Sequence, residues 1–284
     1  MNPSFGIMTV PMQVEYADLL SVWREADGIA ELEHAWLFDH LMPISGNPKG
    51  PAFEGWTLLS ALAAHTERLH LGLLVTSNRF RPPAMLAKIA ATVDVVSNGR
   101  LQFGIGVGSR PEPAAHREYA AHGLPFADPA DAVASLAESL TVIRRLWTED
   151  EPFDFPGIHV QLTGGFCNPK PVRRPPVLVG GRARATLRVV AEHADIWNYP
   201  GDDLADAVAR GAMLDALCAD IGRDPATIAR SLVLPASYDD PGSTRDAMQR
   251  AIDAGFAHIV FMLPAPYPVS VASWLAEEVI LKAT

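Results

Sequence analysis

Residues 176–198 read PVLVGGRARATLRVVAEHADIWN. Residues 176–179 form a short apolar run, the expected fifth strand of the chain. Gly180 and Gly181 end it, residues 183–193 carry a helical pattern, and residues 195–198 return to a strand. A strand, a helix and a second strand in close succession imply parallel strands joined by a right-handed crossover. Outward from this unit the same rhythm recurs. Strands are expected at residues 5–10, 35–38, 69–76, 101–107, 176–179, 195–198, 232–236 and 257–263. Helices are expected at residues 15–30, 53–65, 83–96, 128–147, 183–193, 204–221, 244–254 and 269–281. In the first helix Tyr16, Leu19, Leu20, Trp23, Ala26 and Ala30 recur at helical spacing. Ser97-Asn98-Gly99 is a stop for the third helix, and Pro129 suits the first turn of the longest one.

Eight strand–helix units in about 250 residues is the arithmetic of a (β/α)8 TIM barrel. A doubly wound open sheet is the competing arrangement. It usually announces itself with GxGxxG after the first strand, where this chain has Thr9-Val10-Pro11-Met12. Residues 148–175 break the rhythm with Pro152, Pro156, Gly157, Gly164, Gly165, Pro169, Pro171 and Pro175. They read as a short insertion after the fourth unit, with one hairpin over residues 153–162. No linker or low-complexity segment divides the chain, so one domain over residues 1–284 is expected.

Composition narrows the function. The 284 residues carry a net charge of −10, from 23 basic and 33 acidic side chains. An acidic surface argues against nucleic acid or an anionic membrane as partner. No stretch approaches the roughly 18 apolar residues of a membrane span, and the N-terminus does not read as a signal peptide, so a cytoplasmic protein is expected. Cys167 and Cys218 lie far apart, without metal-ligand or disulfide spacing, so no metal is expected.

In a barrel of this kind the active site lies on the loops after the strands, which restricts the candidates. Asp39 and His40 follow the second strand, where a carboxylate and an imidazole can hold or move a proton; a solvated turn is the alternative. Thr76-Ser77-Asn78 and the arginines Arg79 and Arg81 follow the third. Gly104, Gly106 and Gly108 put Cβ-free positions on one face of the fourth strand, followed by Ser109 and Arg110, and leave room for a planar group. Tight packing inside the barrel explains Gly104 equally well. The strongest anion candidate is Gly180-Gly181-Arg182-Ala183-Arg184, where two glycines open onto a helix N-terminus. Trp197, after strand six, is a candidate wall for a ring pocket. The first strand is followed by no HxH pair, which disfavours a metallohydrolase, and strands six and seven by no lysine, which disfavours a Schiff-base aldolase.

These residues carry a resemblance. Trp36 to Leu41, Leu62 to Gly72, Leu86-Ala87-Lys88 onward to Arg100, Tyr119 to Phe126, Pro175 to Gly181 and Ala194 to Asn198 stand in the order and at intervals that resemble the luciferase-like monooxygenase superfamily, in its deazaflavin (coenzyme F420) branch. The resemblance implies a TIM barrel with the cofactor at its C-terminal mouth. It places Asp39 and His40 by the deazaflavin ring, with His40 as the proton-transfer group. It implies a cis non-proline peptide at Thr76-Ser77-Asn78, a strand-four wall at Gly106, Gly108 and Ser109, and a phosphate cradle at Gly180, Gly181 and Arg182. Relatives often carry an aromatic residue where this chain has Ser109 to Pro113, so the substrate does not carry over.

Three functions are set against one another. The first is hydride transfer between reduced coenzyme F420 and a small organic substrate. The second is an FMN-dependent monooxygenase, for which Asp39-His40 is the weaker match. The third is a cofactor-binding protein without turnover. A homodimer is the expected assembly, through the apolar helices at residues 53–65 and 83–96.

Overall fold

A computed structural model describes residues 2–108, 112–126 and 128–282. The chain runs β1 (Ser4–Thr9), α1 (Tyr16–Asp27), β2 (His34–Leu37), α2 (Gly55–Ala63), β3 (His70–Leu73), β4 (Thr76–Ser77), α3 (Pro83–Val96), β5 (Leu101–Gly106), α4 (Pro113–Ala121) and α5 (Pro129–Thr148). A hairpin of β6 (Phe153–Pro156) and β7 (Gln161–Gly165) follows. Then come β8 (Val177–Gly180), α6 (Arg184–His193), β9 (Ile196–Tyr199), α7 (Leu204–Asp220), β10 (Ala229–Pro235), α8 (Pro241–Asp253), β11 (His258–Leu263) and α9 (Val271–Trp274). The barrel strands are parallel, in the order β3-β2-β1-β11-β10-β9-β8-β5, and β3 pairs back onto β5 to close the ring. This is the (β/α)8 barrel that the alternation implies.

Strand alternation sorts the apolar residues into two cores. Ile7, Ala35, Leu71, Val179 and Phe261 face the helices. Met8, Trp36, Leu178, Ile196 and Val260 fill the barrel interior. The interior ends below in a polar floor. The rings of His34 and His258 stack with centroids 4.0 Å apart. Trp36 Nε1 donates to His34 Nδ1 at 2.8 Å, and Ser231 Oγ lies 2.8 Å from His258 Nδ1. Burial pushes both imidazoles down, His258 to about 4, and the neighbouring His258 lowers His34 further. Both are therefore neutral near pH 7.

Three departures from the sequence reading have local causes. The third barrel strand, expected as one run, is split into β3 and β4 around a cis peptide between Leu74 and Val75. The resemblance put a cis bond at Thr76-Ser77-Asn78 itself; the structure has it just before that segment. A helix not foreseen, α4, follows β5; its proline stands at a first-turn position. Helix α8 begins at Pro241 rather than at residue 244, because Asp240 caps it by accepting from Ser243 N at 3.0 Å. Among the described residues no helix is long and apolar enough to cross a membrane.

Candidate active site

A cavity of about 1000 Å³ opens at the C-terminal ends of the strands. Phe38, Asp39 and His40 line it from the end of β2, and Val75, Thr76 and Ser77 from β4. Gly106 and Gly108 line it from β5, Gly180 to Arg182 from β8, and Asn198 from β9.

The imidazole of His40 is held by a residue far away in sequence. Its Nδ1 lies 3.1 and 3.0 Å from the two carboxylate oxygens of Glu118, on α4. Glu118 is fully buried and also accepts from Leu41 N at 2.6 Å. A carboxylate fixed in this way keeps the proton on Nδ1 and turns Nε2 to the cavity as the exchangeable nitrogen. Phe38 packs edge-on against the same ring, with centroids 5.1 Å apart. Beside Glu118, the hydroxyl of Tyr119 lies 2.9 Å from Ser77 Oγ.

Asp39 has a different part. It is 2% exposed, and both its oxygens are taken. Arg81 donates through Nη1 at 2.6 Å and Nη2 at 3.1 Å, and Thr76 Oγ1 donates at 2.5 Å. Arg81 is shared with Glu54, which caps α2 by accepting from Thr57 N at 2.6 Å. Burial works against the Arg81 charge, but Asp39 and Glu54 outweigh it and hold the guanidinium above its ordinary range. Arg81 is therefore a brace under the mouth and is not available to a ligand anion.

The glycine pair behaves as helix physics requires. Gly181 N donates to Asn198 O at 3.1 Å, and the first intrahelical bond of α6 runs from Leu187 N to Ala183 O at 2.9 Å. The N–H groups of Arg184, Ala185 and Thr186 precede that bond, and no side chain caps them. Gly181 is needed here: a Cβ would stand 2.4 Å from Thr186 Cγ2, so only glycine lets the turn lie flat on the helix start. Arg182 lines the cavity, 3.9 Å from Asp206, which Arg210 holds from the other side at 3.0 Å.

Of the residues expected from the sequence, His40, Asp39, Thr76, Ser77, Gly106, Gly108, Gly180, Gly181 and Arg182 meet at this one cavity. Asn78 turns away and donates to Ser135 Oγ at 3.3 Å. Trp197 does not reach the cavity either. On β9, Ile196 and Asn198 face the barrel interior, so Trp197 faces the helices. It is fully buried and donates from Nε1 to Gly181 O at 2.8 Å, bracing the cradle from behind. Ser109 and Arg110 lie outside the described residues. The sequence reading missed Glu118 and Asn198. Strand parity pointed to Asn198, but no local pattern marks Glu118 as the partner of His40.

The fold and cavity define a barrel with an open cavity at its mouth, and comparisons give its family. Residues 5–277 match the luciferase-like monooxygenase family, and the chain belongs to it. An uncharacterised protein of Mycobacterium tuberculosis is 31% identical over 220 residues, which cover 76% of this chain and 70% of the relative. An F420-dependent glucose-6-phosphate dehydrogenase of Amycolatopsis mediterranei is 32% identical over 164 residues, 57% of this chain and 46% of that protein. A solved F420-dependent secondary alcohol dehydrogenase, in complex with an F420-acetone adduct, shares the fold at a TM-score of 0.86. Both chains are covered completely, at 18% identity.

Proposed function

We propose that this chain is an oxidoreductase that uses coenzyme F420 at the barrel mouth and acts on a small organic substrate. One observation carries the reading: a single cavity joins a carboxylate-held imidazole, His40, to an uncapped helix N-terminus at Gly181 to Thr186. The residues present fit the cofactor. The first amides of α6, with Arg182, suit its phosphate, and Gly106 and Gly180 let the Val75 side chain lie close against the wall, an apolar surface that suits a flat ring. The relative from Amycolatopsis supports the same choice by its name. When bound, the coenzyme supplies hydride chemistry.

The protein supplies the rest. Glu118 fixes the tautomer of His40, and His40 Nε2 gives a proton to, or takes one from, the oxygen of a carbonyl–alcohol pair. Asp39 holds the β2 loop through Arg81 and Thr76, and so sets where His40 stands; we infer a positioning role for it. The test is a fluorescence titration of the pure protein with coenzyme F420 and with FMN. Micromolar binding of F420 is expected. Tight FMN binding with none for F420 would reverse the choice in favour of a flavin monooxygenase.

A further inference from the structure

We propose that Arg79 is an oxyanion subsite of this mouth, and that the substrate carries a carboxylate or phosphate group that pairs with it. The assignment to a substrate rests on the oxidoreductase reading above; the anion site itself does not.

Arg79 is an unsatisfied cation. Its Nε and Nη1 are buried and have no hydrogen-bond partner. Among the described residues it forms no ion pair, whereas Arg81, two positions on, is paired with both Asp39 and Glu54. Glu118, which adjoins Tyr119 on α4, is already used by His40 and Leu41 N. A guanidinium cannot escape this situation by losing its proton. Among the described residues the guanidinium has one close partner, the ring of Phe126, whose centroid lies 5.1 Å from Arg79 Cζ. Such a face offers a cation some attraction but leaves the N–H donors unmade.

Arg79 does not itself line the cavity; its stem lies directly behind the wall, against two residues that do, Ser77 and Gly108. Gly108 lines the cavity with φ of 105°. A Cβ there would stand 3.0 Å from Arg79 Cδ, 2.9 Å from Ser77 Oγ and 2.8 Å from Tyr119 Oη. The arginine stem, a serine and a tyrosine hydroxyl thus converge behind one Cβ-free position of the wall. Tyr119 adjoins Glu118, which places this group on the His40 side. The α6 amides form a separate anion site, which accounts for the cofactor's phosphate. Arg79 is left for an anion of the substrate, close to the proton-transfer group.

The test uses wild type, Arg79→Met and Arg79→Lys, each free and saturated with coenzyme F420. Thermal unfolding is followed in rising sodium acetate and in rising inorganic phosphate, against chloride at matched ionic strength. For the wild type, a Tm rise specific to acetate is expected in both forms. In the F420-saturated form, where the α6 site is filled, phosphate is expected to raise Tm as well. Arg79→Met should need at least tenfold more anion for the same rise, with Arg79→Lys between the two. Without added anion, Arg79→Met should unfold no lower than wild type, since the substitution removes a buried unpaired charge. On a substrate panel, carbonyl acids should be preferred to their methyl esters by at least tenfold, and Arg79→Met should lose that preference through KM. Equal anion responses in wild type and Arg79→Met, or a lowered Tm with no change in anion response, overturn the proposal. If F420 fails to bind the wild type, the oxidoreductase reading falls, while the acetate series on the free protein still decides the Arg79 site.

Discussion

The two ends of the barrel treat charged groups in opposite ways. At the N-terminal end the charged side chains of Asp27 and Arg100 are used up within the protein, while the neutral imidazoles of His34 and His258 in the floor each keep Nε2 without a partner among the described residues. Asp27 accepts from Glu67 N, Arg68 N and Leu69 N at 2.7 to 2.9 Å. Arg100, 9% exposed, donates to the carbonyls of Ala63, Thr66, Leu69 and Ser97 and to Thr66 Oγ1. At the C-terminal end His40 Nε2, the first α6 amides and two donors of Arg79 are left open. The difference teaches where this sequence places stability and where it places chemistry, a division common to barrels of this class.

Substitutions at each end should separate the two properties. The largest effect is expected from His40→Ala, which should lower turnover roughly 10²–10⁴-fold while F420 affinity stays within about tenfold and Tm is unchanged. Unchanged turnover would remove His40 from the reaction. Arg100→Met should do the reverse. It leaves several buried acceptors unmet and should destabilise the fold by about 3–5 kcal/mol in urea unfolding, with F420 affinity preserved. A large loss of affinity in the folded variant would show that the ends are coupled.

The floor of the barrel sets the acid limit. His258 titrates at about 4 in the fold but near 6.5 when unfolded, so the unfolded chain binds the proton first as pH falls. Its contribution is complete above pH 6.5 and is lost progressively down to pH 4, about 3 kcal/mol in all. His34 shifts in the same direction. Urea midpoints from pH 7 to 4.5 should therefore drop steeply, and His258→Gln should flatten the slope; an unaltered slope would exclude this histidine as its source. The smallest effect is expected from Glu118→Gln. The amide can still bond Nδ1 but no longer offers two acceptor oxygens to hold the ring, so turnover should fall about tenfold to a hundredfold. Turnover identical to wild type would mean that the carboxylate only packs.

The barrel was legible because each unit announces itself locally, with an apolar strand, a loop and a helix whose period differs from the strand's. The glycine turn into α6 was legible for a similar reason, since glycines ending a strand before a helical pattern mark a turn into a helix start. What escaped the sequence depends on distant contacts. Glu118 lies on a helix that was not foreseen, and its partner His40 is 78 positions away. Asp39 looked like a reacting group because nothing in its own segment shows Arg81 taking both oxygens. Trp197 is a candidate wall by its ring alone, when the two-residue period of β9 turns Asn198, not Trp197, to the cavity.

Helix α4 has a consequence for how such a mouth can change. Its consecutive residues Glu118 and Tyr119 grip His40 on one side and Ser77 on the other. Any shift of this one segment therefore moves His40 and the hydroxyl pair beside Arg79 in concert. Under the roles proposed above, grafting residues 112–126 from one relative to another would transplant reactivity and substrate choice together, as a single heritable module on an otherwise unaltered scaffold.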